Sequence, residues 1–263
     1  MRKLLISVLV TVFSLGLVGT AAADTVAEII KRGELRVACQ TQGPPMSFVD
    51  KKGNRTGAVV EIARLMAKEM GVKVKFLSYD WDGLIPALMA KKADILAADM
   101  APTLKRSLKV SFTVGYYDVY AAFFAKKGAN YKSLADIDQP GVRVAVLLGS
   151  MGETDAKKLL KKAEIKSYKG GGPMLINAVM GGKADLVFND ACSVVAQLAD
   201  FPPNSMEAVP GKYSEVPICF AVRPEDAHLL RWANSFFYWI RSDGRLQGIN
   251  DYWINTLEWR KEH

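Results

Sequence analysis

From Glu34 onward the chain alternates short runs rich in β-branched and apolar residues with stretches of helical period, and this alternation leaves few folds open to it. "ELRVAC" (34–39), "VKVKFL" (72–77) and "DILAA" (94–98) have the length and composition of buried strands. Between them lie "AVVEIARLMAKEM" (58–70), where Val59, Ile62, Ala63, Met66 and Met70 recur at helical spacing, and the helix "WDGLIPALMA" (81–90). After "VSFTVGYY" (110–117) a second group of the same kind begins. Its strands are "VYAAFFA" (119–125), "VRVAVLL" (142–148), "AEIKSY" (163–168) and "ADLVFND" (184–190), and its helices cover "SMGETDAKKLLKK" (150–162) and "PMLINAVMGG" (173–182). Alternating strands and helices build a largely parallel α/β sheet. Two such groups in 263 residues, half of them hydrophobic, predict two lobes with real cores.

The chain closes differently, with a strand over "VPICFAVRP" (216–224) and one long helix over "PEDAHLLRWANSFFYWIRSDG" (224–244). Pro224 is read at the start of that helix and Gly244 at its end. Leu229, Trp232, Ala233, Phe236 and Ile240 share one face, the spacing of an amphipathic core helix.

Before Glu34 the sequence reads as a targeting segment. "MRK" is a charged start, "LLISVLVTVFSLGLV" an apolar run and "TAAAD" a small-residue site, which together predict a secretory signal over residues 1–23, cleaved after Ala23. The apolar run is about 15 residues, short beside the roughly 20 that cross a bilayer. No cysteine precedes Cys39 to accept a lipid, so the expectation is an exported, soluble protein of the periplasm.

Without Arg2 and Lys3 the formal charge falls from +8 to +6. The lysines are scattered in pairs such as Lys51-Lys52 and Lys161-Lys162, with no basic stripe interleaved with aromatics, so a nucleic-acid partner is not indicated. Cys39, Cys192 and Cys219 are an odd number, which allows at most one internal disulfide and leaves buried thiols as the alternative. Two histidines and no CxxC give no zinc motif. "KGGGPM" (169–174) lacks the spacing of a phosphate-binding loop and reads as a glycine turn before a helix. GxSxG, HExxH and a dinucleotide fingerprint are absent from the sequence.

Several stretches together resemble the bacterial extracellular solute-binding proteins of the polar amino acid type. The first is "GELRVACQTQGPPMSFVDKKGNRTGAVVEIARLMAKEMGVKVKF" and the second "WDGLIPALMAKKADILAADMAPTLKR", with its threonine three residues before an arginine. "VSFTVGYY", "LADIDQPGVRVAVLLGSMGE", "GGKADLVFND" and "SDGRLQGINDYW" continue the likeness in order over nearly the whole exported chain. The resemblance implies a two-lobed type II periplasmic binding protein fold of the α/β class with the ligand in the inter-lobe cleft. Lobe 1 would take 24–116 and 212–263, and lobe 2 would take 117–211.

The same resemblance implies site residues. Arg106 falls where the family holds a ligand α-carboxylate, and guanidinium, with its fork of donors and permanent charge, suits that task. A helix starting after Thr103 would add backbone N–H groups. Asp190 matches the acidic partner of the α-ammonium, although an aspartate after a strand is also a common helix cap. Trp81 is either an aromatic wall for the ligand or a core tryptophan. Ser150 and Met151 match the second-lobe turn at a helix N-terminus, with Met151 replacing a common hydroxyl residue. Ala101 replaces a hydroxyl residue near the ligand amine, Val59 stands where aspartate is frequent, and Gln40 and Gly43 stand where cationic-ligand binders carry an acid and an aromatic, so the family's usual pocket for lysine or arginine is poorly matched. Asp99 occupies a place that is usually small or hydroxylated. It either pairs with Arg106 or caps the next turn, or it faces the cleft and holds the ligand amine, which Ala101 cannot do.

The leading expectation is therefore a solute-binding protein, monomeric by the family's habit and without a cofactor, that hands an amino acid or related zwitterion to the membrane permease of an ABC transporter. Two alternatives remain. One is a cyclohexadienyl dehydratase-like enzyme, disfavoured because Ser193 stands where those enzymes carry a glutamate. The other is a solute sensor for a separate receptor.

Overall fold

The computed structural model describes residues 24–263, so the segment read as a secretory signal lies outside the described residues. Thirteen strands are described: β1 (Glu34–Gln40), β2 (Gln42–Gly43), β3 (Ser47–Val49), β4 (Arg55–Thr56), β5 (Lys73–Tyr79), β6 (Ile95–Met100), β7 (Ser111–Phe112), β8 (Tyr117–Lys126), β9 (Arg143–Leu147), β10 (Glu164–Tyr168), β11 (Leu186–Asp190), β12 (Met206–Ala208) and β13 (Tyr213–Val222). The main strands lie in the order β10, β9, β11, β8, β13, β6, β1, β5.

The two halves of this order repeat one plan. In the first, β1 lies parallel between β5 and β6, with Val37 opposite Phe76 on one side and Ile95 on the other. In the second, β9 lies parallel between β10 and β11, with Val144 opposite Ile165 and Leu186. These central strands read as nearly unbroken apolar runs because helices cover both faces of a parallel sheet. The helix Ala58–Glu69 covers β1, β5 and β6, while Met151–Leu159 and Pro173–Met180 cover β9 and its neighbours.

β13 joins the halves by changing partner midway. Pro217 and Ile218 pair antiparallel with Asp118 and Tyr117 of β8, and the next residue, Cys219, pairs with Met100 of β6. The backbones are tight beside this crossing, because a Cβ on Gly115 would come within 2.6 Å of the Pro217 Cβ. A residue with a side chain at 115 has no room in this arrangement.

Each half has its own aromatic packing. Phe220 meets Phe237 edge-on at 5.3 Å in the first, and Phe123 stacks on Phe188 at 4.2 Å in the second. Leu229, Ala233, Phe236, Phe237 and Ile240 of the long helix Ala227–Ser242 are buried, as its periodicity predicts, while Trp232 is half-buried and stacks on Phe236. The expected helix start is corrected: it begins at Ala227, not at Pro224. Arg223 and Asp226 form a buried ion pair at 2.6 Å, and Thr25 donates to Asp226, so the turn 223–226 is held for packing and the helix starts after it. The glycine run reads as expected, a turn before the helix Pro173–Met180. All three cysteines are free thiols, with Cys39 and Cys219 buried.

Candidate functional site in the cleft

A cavity between the two halves encloses about 520 Å³ of atom-free space, counting its opening to solvent. All eight residues picked out from the sequence line it: Gln40, Trp81, Asp99, Ala101, Arg106, Ser150, Met151 and Asp190. They meet because most of them follow the carboxyl ends of parallel strands, where open α/β sheets place their clefts.

The arginine is set by a short sequence of constraints. β6 ends at Met100, Pro102 prevents the strand from continuing, and Thr103 caps the four-residue helix Leu104–Ser107 by accepting from the Arg106 backbone N–H at 3.3 Å. That cap uses one of the backbone donors expected there for a ligand. The Arg106 side chain turns back into the cleft, where Nη1 donates to the Ala101 carbonyl at 3.0 Å and Nη2 to the Gly149 carbonyl at 3.1 Å. Its guanidinium lies 5.4 Å from the centre of the Trp81 ring, within cation–π range. Trp81 therefore serves both readings at once: it is 8% exposed, packed in the core beside Leu84 and Leu88, and presents its face to the cavity.

Asp99 forms no ion pair with Arg106 among the described residues, and the turn after it is capped by Thr103, so both structural roles considered for it are corrected. One of its oxygens, Oδ1, is sealed from solvent and has no hydrogen-bond partner. Burial pushes its carboxyl up to about 6, against the pull of Arg106. Asp190 stands at the cap position of the helix Ala191–Leu198 but makes no side-chain capping bond, which corrects the structural role considered for it. Burial, reinforced by the charge of Asp99, raises it to about 8.

On the opposite wall Ser150 caps the helix Met151–Leu159, its hydroxyl accepting from the Glu153 N–H at 3.0 Å. Met151 and Gly152 bring the first turn of that helix to the cavity. Sequence reasoning passed over Asn189 and Gln197, and weighed Ser193 only as a departure from an enzyme pattern, yet all three line the cavity. A signal existed: Ser193 and Gln197 are polar, four residues apart, in the otherwise apolar "ACSVVAQL".

Comparison with known proteins gives the same architecture. The family model of the bacterial extracellular solute-binding proteins, family 3, matches residues 35–256. The "ABC transporter arginine-binding protein 1" of Escherichia coli (strain K12) is 29% identical, over 97% of this chain and 99% of its own length. The crystal structure of an ancestral amino acid-binding protein, a precursor of cyclohexadienyl dehydratase, is 36% identical and superposes with a TM-score of 0.81, covering 88% of this chain and 99% of that one. An ancestral arginine-binding protein bound to arginine is 32% identical with a TM-score of 0.79, covering 84% and 98%. With its β13 crossing, its inter-lobe cleft and a family match over most of its length, the chain belongs to the bacterial extracellular solute-binding proteins, family 3.

Proposed function

We propose that the protein captures an amino acid or related zwitterion in this cleft and delivers it to the membrane permease of an ABC transporter. The observation that carries the reading is the convergence of Arg106, Asp99 and Asp190 on one small cavity, a cation and two acids to meet the two ends of a zwitterion. Arg106 takes the α-carboxylate, beside the N-terminal turn at Met151 and Gly152. Asp190 takes the α-ammonium, and Asp99 supplies the second acceptor that Ala101 does not offer. Trp81 and Gln40 bound the side chain. The relatives named above are a binding protein for arginine and ancestral amino acid binders, which supports an amino acid as the ligand class.

The two lobes are residues 24–116 with 212–263, and 117–211, a division supported by the change of partner in β13 between Ile218 and Cys219. Closure of these lobes over the ligand makes the two-sided contact and creates the shape a permease reads. The protein acts as a monomer in the periplasm after removal of residues 1–23. Among the described residues no helix is long and apolar enough to cross a membrane.

A thermal-shift screen against amino acids, polyamines, small carboxylates and aromatic acids tests this reading. A ligand at 100 times its dissociation constant stabilises by about 2.7 kcal/mol. One amino acid should give that shift, and Arg106→Ala should abolish it. A shift only from ligands without a carboxylate would sink the assignment.

A second reading has one observation in its favour. Asp190, held up to about 8, stays protonated near neutral pH, as the acid of a dehydratase must. Ser193 stands where the resemblance to that enzyme calls for a glutamate. Turnover of prephenate or arogenate by the purified protein would decide for the enzyme.

A further inference from the structure

The wall of the cleft offers more hydrogen-bond acceptors than the protein itself satisfies. Asp99 Oδ1, Ser193 Oγ and Gln197 Oε1 are buried without a partner, and all three residues line the cavity. Ser193 and Gln197 are each only 3% exposed, so bulk water does not serve them. The Gln197 amide nitrogen is already engaged, donating to the Pro44 carbonyl at 3.3 Å, which orients the side chain. Native proteins pair almost all their buried polar atoms. Three orphans on one cavity mark where donors arrive with a ligand, and two of them, a carboxylate and an amide oxygen, can only accept.

Charge leads to the same conclusion. Of the residues lining the cavity, the ionisable ones are Arg106, Asp99 and Asp190, one positive charge against two negative. A zwitterion adds nothing to that balance, so with it bound one of the two acids must keep its proton and stays unpaired by the ligand. A ligand with one carboxylate and two cationic nitrogens brings the total to zero. Building on the amino-acid reading of the cleft, we infer that the ligand is a cationic amino acid, and that Asp99, which shares the cavity with the orphan oxygens of Ser193 and Gln197, is the residue that requires its second positive charge. This places charge selection at Asp99. Gln40 and Gly43, where related cationic-ligand sites carry an acid and an aromatic, contribute none.

A proton balances the same charges before the ligand enters. Burial and the charge of Asp99 hold it on Asp190, and an arriving ammonium group displaces it.

Calorimetry on the exported protein tests the inference with lysine and ornithine against their neutral counterparts norleucine and norvaline. The wild type is expected to bind the cations about 100-fold more tightly. Asp99→Asn and Asp99→Ser should both cut cation affinity by about 100-fold and neutral-ligand affinity by about tenfold or less, because a neutral ligand loses only its share of the amine contact. Titrations in two buffers of different ionisation enthalpy should show about one proton released per cation bound near pH 7. Neutral ligands that bind the wild type as tightly as the cations overturn the inference, and this comparison needs no variant to fold. So does a loss in the Asp99 variants that is equal for both classes. If no α-amino acid binds at all, or if Arg106→Ala leaves binding intact, the amino-acid reading itself fails and the inference falls with it.

Discussion

Arg106 spans the cleft to Gly149, with its Nη2 donating to the Gly149 carbonyl at 3.1 Å while Nη1 holds the Ala101 carbonyl on its own side. A guanidinium has five N–H donors, so these two bonds fix its plane and leave donors for a carboxylate. The same side chain thus ties the two walls together and presents a pre-oriented site, which lowers the ordering cost of binding.

Arg106→Ala is expected to lose both functions. Removing one partner of a buried charge-assisted contact costs about 2–5 kcal/mol of binding. Small-angle scattering of the unliganded variant should give a larger radius of gyration than wild type, because the link to Gly149 is gone. An unchanged radius with lost affinity would assign Arg106 to the ligand alone.

Asp99 and Asp190 give stability a definite pH dependence. Both are raised, chiefly by burial, to about 6 and about 8, whereas an unfolded aspartate titrates at about 3.9. Between roughly pH 4 and 8 the native protein therefore binds more protons than the unfolded chain, and stability falls as pH rises through that window. The melting temperature of the unliganded protein should decline from about pH 4 to about pH 8. Asp190→Asn should flatten the upper part of the decline and Asp99→Asn the lower part. A melting temperature that rises across the window would contradict the arrangement.

A glycine lets the two walls of the cleft meet. A Cβ on Gly171 would come within 2.2 Å of the Gln42 carbonyl oxygen, a backbone atom on the other side of the cleft. Gly171→Ala should leave the unliganded fold intact, since the two lobes can separate slightly, but it should weaken ligand binding by about 1–3 kcal/mol, the usual cost of overpacking. Paired measurements of melting temperature and dissociation constant separate these effects. Equal destabilisation with unchanged affinity would mean that the contact belongs to the fold alone.

The sequence made the elements legible because strand and helix periods differ so clearly here, as in "DILAA" against "AVVEIARLMAKEM". The eight site residues were legible only through the resemblance to the family, and the structure gathers them because most follow strand ends. β13 was harder. "VPICFAV" reads as one strand, and nothing local marks the step from Ile218 to Cys219 where it leaves β8 for β6, because pairing is decided by distant segments. Gln197 escaped notice for the same cause, since its placement depends on the Pro44 carbonyl and the Gly172 turn, both remote in sequence. Pro224 misled because a buried pair, Arg223 with Asp226, overrode the local preference for proline at a helix start.

The first half is fastened by a buried carboxylate away from the cleft. The Asp94 side chain, 2% exposed, accepts from the Arg36 backbone N–H at 2.8 Å, from Arg36 Nη2 at 2.7 Å and from Arg32 Nη2 at 2.5 Å. It joins the helix Thr25–Arg32 and β1 to the turn before β6, the strand that delivers Asp99 and Arg106. Both arginines are partly open to water and can rehydrate, so Asp94→Ala should cost less than a fully buried pair would, about 2–3 kcal/mol. For a chain of this size that corresponds to a fall of about 5–10 °C in melting temperature. Ligand affinity, measured below the new melting point, should change little, because none of the three residues lines the cavity. A large loss of affinity in a still-folded variant would mean that β6 needs this anchor to aim Arg106.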